Sequence, residues 1–452
     1  MFDCAVIGGG PAGYRAAELI AKKGMKVVLI EKKHLGGVCL NEGCIPFKSY
    51  LHVSSINGKI RKLVNTGVFD SPDVSASMKT LHSTKDQIVI GLRQSVRMML
   101  ENRNVEIVFA EASDIRRTAD GFEIEVGERL VNAGKVILAL GSRTVMPNVE
   151  NIQLDYRVID SRSLLEMDDC PKNIDIIGAG VIGLEAASFF ANMGSKVTLI
   201  ECGRKIGGQI DGEIAEALKR VLTRKGIDIL TETKFCGFEP DGVCYESEGQ
   251  PVKRQTETVM FAMGRKPAIE ARMLDDLGVK YTDKGIDIDE QCETSMSGIY
   301  ACGDITGKNM LAHNAFYQAS VITESIAGNP ITANYTGIPR VIYSDPEVLT
   351  VGMTEEECRE KAIKYKSVCL PMTYSGRYYA ENGKDGAKAK LLIDTESRVI
   401  GFHMIGNGSS EISLAAEMMV RDKKTLSEMK DLIFAHPTYV EIISDLVNSF
   451  EE

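Results

Sequence analysis

Two cysteines, Cys39 and Cys44, stand five positions apart in the run Gly36-Gly37-Val38-Cys39-Leu40-Asn41-Glu42-Gly43-Cys44-Ile45-Pro46. On a regular helix, residues i and i+5 lie about 8 to 9 Å apart at Cα. A disulfide needs Cα atoms within about 7 Å. A Cys39–Cys44 bridge therefore requires a bent or tightened turn, which Gly43 permits and Pro46 limits downstream. A bridge made under that constraint is easy to reduce, as a working disulfide should be. Taken alone, the spacing more often marks two unrelated buried cysteines. A second constellation, His436-Pro437-Thr438-Tyr439-Val440-Glu441, lies near the end of the chain. It offers a base with a carboxylate five positions on to orient it. A lone histidine beside an apolar stretch is more often a core or capping residue.

Such side chains need elements to hold them, and two segments of similar pattern supply candidates. The first is Ala5-Val6-Ile7-Gly8-Gly9-Gly10-Pro11-Ala12-Gly13, a helical stretch, then Lys26-Val27-Val28-Leu29-Ile30-Glu31. The second is Ile174-Asp175-Ile176-Ile177-Gly178-Ala179-Gly180-Val181-Ile182-Gly183, a helical stretch, then Lys196-Val197-Thr198-Leu199-Ile200-Glu201. Glu31 lies 18 positions after Gly13, and Glu201 lies 18 after Gly183. Each unit reads as strand, G-x-G-x-x-G, helix, strand, acid. The first glycine makes the tight turn, the second admits a pyrophosphate, and the third lets helix and sheet approach. The pyrophosphate then sits on the helix N-terminus and the acid accepts hydrogen bonds from a ribose. Two units imply two dinucleotides. A third segment, Gly298 to Asp304, is a short strand ending in a small residue and an acid, which alone reads as a βα turn.

Boundaries are expected near Pro147, where Thr144–Asn148 looks like a linker, near Gly264–Pro267, and near Ile338–Pro339. Residues 51–104 read as mostly helical, and residues 338–452 as strand-rich with helices. The expected fold class is α/β: two Rossmann-like dinucleotide-binding domains plus a C-terminal α+β dimerisation domain. With 452 residues the chain exceeds a single core. A net charge of −10 argues against nonspecific nucleic-acid binding and against an anionic membrane surface. Eleven cysteines, of which only 39 and 44 are closely paired, fit a reducing compartment. The start of the sequence has no signal-peptide pattern, and no uncharged apolar run suits a membrane span. A cytoplasmic location is the expectation.

Together these residues resemble the FAD-dependent pyridine nucleotide–disulfide oxidoreductases. The resemblance runs through GGGPAGY at 8–14, GGVCLNEGCIP at 36–46 with Lys48, ALGS at 139–142 and GAGVIGLE at 178–185. It continues through AMGRKP at 262–267, GIYACGD at 298–304, MLAH at 310–313, YSDPEVLTVG at 343–352 and HPTYVE at 436–441. Cys39-Leu40-Asn41 and Met310–His313 are most similar to the branch that oxidises dihydrolipoyl groups. The resemblance implies residues 1–146 as the first part of an FAD domain and 147–265 as an NAD domain. It implies 266–337 as a return to the FAD domain and 338–452 as an interface domain. It implies Cys39 and Cys44 as a redox disulfide, with Cys39 exchanging with substrate and Cys44 facing the flavin. His436 and Glu441 would act as base and orienting acid, reaching the active site of a partner in a homodimer. Lys48 would lie near the flavin, paired with Glu185.

For FAD the resemblance implies contacts from Gly8, Gly10, Pro11, Ala12, Gly13, Glu31, Gly37, Val38, Cys39, Lys48, Ala110, Gly141, Asp304, Met310, Leu311 and Ala312. For the nicotinamide cofactor it implies Gly178, Gly180, Val181, Ile182, Gly183, Glu201, Ala262, Gly264 and Arg265; Phe235 completes the set of expected cofactor contacts. An acid at 201 favours NAD over NADP, with Arg204 three positions on as a charge that would soften the choice. No metal is expected. The implied partner is a lipoyl-bearing protein of a 2-oxo-acid dehydrogenase complex or a glycine cleavage H protein. Three stretches depart from the family pattern: Phe47 after the proline, the bulky run Lys48-Ser49-Tyr50-Leu51, and Ala110 in place of a glycine. Two alternatives remain at this point. One is a glutathione reductase-like enzyme for another disulfide. The other is a flavoprotein subunit with a docking role and no catalysis.

Overall fold

A computed structural model describes residues 1–69, 76–148, 157–239 and 242–450. The chain divides into two compact units. The first comprises Met1–Ser49, Thr80–Met146 and Gly264–Asn334; the second comprises Tyr50–Lys79, Pro147–Met263 and Tyr335–Glu452.

In the first unit the strand Phe2–Ile7 lies between Val27–Ile30 and Arg129–Leu138, parallel to both. Glu106–Val108 extends the parallel run beyond Val27–Ile30, and Ile299–Ala301 pairs in parallel with Arg129–Leu138. Gly121–Val126 and Ala112–Thr118 continue the sheet antiparallel. From Cys4 to Ile7 the first strand is a continuous apolar run because both of its faces are covered. Cys4 and Val6 enter one core with helices Pro11–Lys22 and Ala312–Ile326, while Ala5 and Ile7 enter a second core on the other face.

The second unit holds a parallel sheet in the order Asp228–Leu230, Lys196–Ile200, Asn173–Ile177, Thr258–Phe261, Val158–Ile159. Its helix Val181–Met193 is buried along most of its length, which its composition of Leu, Ala and Phe anticipates. Thr233–Glu239, Gly242–Ser247 and Gln250–Gln255 form a small antiparallel sheet. The C-terminal part carries an antiparallel sheet ordered Arg340–Ile342, Val348–Gly352, Val399–Ile405, Lys388–Ile393, Lys366–Pro371. Alternation along these strands separates its faces. Leu349, Val351, Phe402, Met404, Ala389 and Leu391 join the apolar core. Thr350, His403 and Lys390 form a register-matched polar row on the opposite face.

Lys390 is buried there, 3.2 Å from Asp211 and 3.2 Å from Glu355. The stretch 144–148 begins in a two-stranded ribbon, where Ser142–Thr144 pairs antiparallel with Arg265–Pro267. The helices Cys44–Asn65 and Met78–Glu101 cover much of the region read as helical. Among the described residues no helix is long and apolar enough to cross a membrane.

Candidate active site

The first glycine loop is built as its spacing requires. Gly8 has φ +103°, and a Cβ there would collide with the Ala139 carbonyl. A Cβ on Gly13 would collide with the Gly8 carbonyl, so the helix–strand approach admits only glycine. Helix Pro11–Lys22 has no side-chain cap at Gly10, which leaves its N-terminus open to a phosphate. Glu31 closes the loop from the neighbouring strand, accepting from the amides of Gly9 (2.7 Å) and Lys33 (2.7 Å).

The second loop repeats this geometry. Gly178 has φ +104° against the Ala262 carbonyl, and Gly183 abuts the Gly178 carbonyl. Glu201 accepts from the amides of Ala179 (2.8 Å) and Gly203 (2.8 Å). Val181 and Ile182 open the helix beyond Gly180, which also lacks a side-chain cap. Arg204 is engaged away from this acid, at 3.0 Å from Glu232 on the surface. Phe235 packs edge-on against Phe238 and Phe261 in an aromatic cluster.

The cysteine segment is tied to the first loop. The Gly36 amide donates to the Gly9 carbonyl at 2.8 Å, and Gly37 lies so close to Gly10 that a Cβ would come within 2.6 Å of its Cα. Cys39 sits in the helix Gly37–Glu42, preceded by Val38. That helix breaks at Gly43 (φ −147°, ψ −111°), and Cys44 begins the next one. The break supplies the bent turn that the spacing demands.

Both cysteines are thiols. Cys39 is half-buried, and its thiol pKa is pushed far up by its hydrogen bond to Cys44, then by burial and by negative charge on Cys44; the Lys48 cation opposes the shift. Cys39 donates this hydrogen bond to exposed Cys44. Tyr14, which ends the GGGPAGY run, has its pKa pushed up to about 12 by burial and then by Cys39.

Other first-unit residues expected at a dinucleotide lie in loops and at the ends of elements. Ser142 Oγ donates to Asp304 at 2.5 Å. Gly141 has φ +75° and accepts from the Ala268 amide. Leu311 caps the helix Ala312–Ile326 without a side-chain bond, beside half-exposed Met310. Ala110 follows the strand Glu106–Val108 and packs at the edge of the core. Gly264 and Arg265, expected at the second dinucleotide, fall in the first unit, whereas Ala262 falls in the second. Arg265 Nε donates to Ser142 Oγ at 2.7 Å, and a terminal nitrogen donates to the Ser142 carbonyl at 2.7 Å. The open helix ends, the glycine cradle and the Ser142–Asp304 pair suit an FAD at the first loop.

In the second unit, buried Glu185 accepts from the Tyr343 amide at 3.0 Å. His436 Nδ1 lies 2.9 Å from Glu441 Oε1, while Glu441 Oε2 accepts from the Thr438 amide at 2.7 Å. The Thr438 amide first, and then His436, hold the Glu441 carboxyl below its ordinary value. With Nδ1–H given to Glu441, Nε2 is the nitrogen left to accept a proton. The departures at 47–51 have a local explanation in Tyr50. Its ring is fully buried 5.5 Å from that of Phe189, and its hydroxyl donates to the Leu165 carbonyl at 2.9 Å.

Sequence reading missed Asn41, whose amide donates to the carbonyls of Gly37 (2.7 Å) and Leu35 (3.0 Å) and stiffens the cysteine helix. It also missed Ser142 and the surroundings of Tyr439. Asn41 and Ser142 stood inside recognised motifs, but nothing local announced their partners.

The fold and these two loops define a flavin- and nicotinamide-linked disulfide oxidoreductase, and comparison with known proteins agrees. Residues 2–319 match the family model described as pyridine nucleotide-disulphide oxidoreductase, and residues 338–447 match its dimerisation domain. The chain belongs to this family. It is an FAD-dependent, NAD-linked oxidoreductase, and its dimerisation domain supports a homodimer.

Among its relatives is a dihydrolipoyl dehydrogenase of Staphylococcus aureus, 33% identical over 97% of this chain and 94% of that protein. One from Bacillus subtilis is 31% identical over 98% of each chain. Among solved structures, the HOCl-induced flavoprotein disulfide reductase RclA from Escherichia coli superposes with a TM-score of 0.86 at 25% identity, covering 100% of both chains. LpdA from Mycobacterium tuberculosis shares the fold, with a TM-score of 0.88 at 20% identity over 98% of this chain and 99% of that one.

Proposed function

We propose that this protein is a dihydrolipoyl dehydrogenase, oxidising protein-bound dihydrolipoyl groups through Cys39 and Cys44 and passing the electrons to NAD. The observation that carries the reading is the hydrogen-bonded Cys39–Cys44 pair tied to the first glycine loop. The dihydrolipoyl substrate is favoured by relatives of that name along nearly the whole chain.

In the reaction a substrate thiolate attacks Cys39 Sγ, the Cys39–Cys44 bond breaks, and Cys44 leaves as the thiolate. His436 Nε2 takes the proton of the second substrate thiol, whose sulfur displaces Cys39 and closes the substrate's own disulfide. The pair is left reduced by two electrons. FAD, when bound, accepts those two electrons and supplies hydride to NAD. Lys48 and Glu185 are assigned to the flavin's surroundings, and Glu201 to the adenosine ribose of NAD. Residues 1–146 and 266–337 are read as the FAD part, 147–265 as the NAD part and 338–452 as the interface. The partner is a lipoyl-bearing protein of a 2-oxo-acid dehydrogenase or glycine cleavage system, in the cytoplasm.

The likeness to RclA favours a second reading, reduction of another disulfide. Purified protein is assayed for NAD reduction by dihydrolipoamide, beside NADH or NADPH oxidation with glutathione disulfide. Activity in the first assay alone is expected. Activity only with glutathione disulfide would overturn the lipoyl assignment in favour of the second reading.

A further inference from the structure

We infer that the short helix Gly376–Asn382 is a positioning clamp for His436, acting through Tyr439; the inference rests on the role proposed above for His436. Within its own subunit the imidazole is 79% exposed, so packing inside that subunit does not hold it. Its partner Glu441 is braced by the Thr438 amide, but that triangle lies wholly within residues 436–441 and needs an external anchor.

The anchor is Tyr439. Its hydroxyl donates to Glu381 and accepts from Asn382 Nδ2 at 3.1 Å. Its ring meets Tyr378 edge-on at 5.1 Å, and the Arg377 guanidinium lies over it at 5.3 Å. Arg377 Nε is itself 2.8 Å from Glu381, which fixes both ends of the clamp relative to each other. Gly408 closes another side, since a Cβ there would stand 2.7 Å from the Tyr439 ring. One residue back, the Thr438 carbonyl accepts from Ser375 Oγ at 3.0 Å.

The clamp rests on a rigid base. Tyr378 is buried with its hydroxyl on Asp385 at 2.7 Å, and Asn382 accepts from Asn407 Nδ2 at 2.6 Å. The turn bearing the base is therefore held at two adjacent residues, while the imidazole projects free to reach a thiol. A base held this way keeps its approach geometry.

The test uses the FAD-loaded protein and the variants Tyr439→Phe, Glu381→Ala and Glu381→Gln. Tyr439→Phe keeps the ring and removes both hydroxyl bonds. It should lower kcat with dihydrolipoamide about tenfold or more, with KM for NAD and NADH-dependent ferricyanide reduction, which needs no base at the thiols, unchanged. Glu381→Ala should match that loss, and Glu381→Gln, which retains an acceptor, should recover most of it. Equal losses in both assays, or no loss in Tyr439→Phe, would overturn the clamp.

Failure of the unaltered protein to oxidise dihydrolipoamide would count against the proposed function and not against the clamp. The clamp is then read from the His436 ring signal in histidine-labelled protein, assigned with His436→Gln. A signal shifted or broadened by Tyr439→Phe supports it, and an unchanged signal refutes it.

Discussion

Cys39 and Cys44 do not share their proton evenly. The hydrogen bond from Cys39 to Cys44, and then burial, hold the Cys39 thiol pKa up against the opposing pull of the Lys48 cation, so the dithiol calls for a base to take its proton. His436→Gln keeps a polar side chain but removes that base. It should lower turnover of dihydrolipoamide about 10²- to 10⁴-fold, with FAD absorbance retained. Near-normal turnover would refute the assignment. The nicotinamide side has its own single-residue test. Glu201 accepts two backbone amides, and Arg204 is drawn to Glu232 and away from that acid. Glu201→Ala should narrow the ratio of kcat/KM for NAD over NADP, and an unchanged ratio would place the discrimination elsewhere.

Elements convert these residues into a site. The cysteine helix is short because Gly43 breaks it, and the break is what lets residues five apart meet. The helix that follows carries Tyr50 into the core of the second unit, where the hydroxyl finds the Leu165 carbonyl. Tyr50→Phe should cost about 1 kcal/mol in denaturant unfolding, the usual net value of such a bond, and leave the cysteines reactive. A loss of thiol reactivity would mean that this anchor also sets the cysteine helix. The glycine loops tolerate less, because Gly13 and Gly183 press on carbonyl oxygens. Their counterpart acids bridge back to the loop amides, so each strand–loop–helix unit is a closed local structure.

At the scale of the whole molecule, buried charge governs stability against pH. Lys390 is enclosed by Asp211, Glu213 and Glu355 in the second unit. Lys390→Met would leave Asp211 buried without its cation and should cost about 3 to 5 kcal/mol, measured by urea unfolding. His403, buried beside this cluster, has its pKa pushed below the ordinary 6.5 by burial. The folded state therefore favours neutral His403, and its contribution is present above pH 6.5 and lost as pH falls below. Glu213, held down to about 2, contributes above its ordinary 4.5 and loses that contribution as pH falls towards 2. Burial lifts the Cys4 and Cys369 thiols from 9.0 to about 12, so their contribution is complete below pH 9 and lost above it. The unfolding free energy should accordingly be flat between about pH 6.5 and 9 and fall on both sides. A maximum outside that window would contradict the assignment.

Much of the site was legible in the residues because its rules are local. The two glycine loops and their acids depend on turn geometry and strand spacing within about thirty residues. The Cys39–Gly43–Cys44 break needs only one glycine, and the His436–Glu441 pair lies within one turn. What the sequence did not disclose are contacts between residues far apart along it. Ser142 meets Asp304 across 162 positions, Lys390 meets Asp211 across 179, and Tyr439 meets Glu381 across 58. Nothing beside Asp211 or Lys390 in the sequence announces that the two will meet. Arg265 likewise belongs to the Ser142 ribbon only once two distant strands pair. The sequence by itself determined which chemistry this chain carries, since that follows from residue types and short spacings. Only the tertiary structure decided how the base is held and where the buried charges are neutralised, since chain packing chooses those partners.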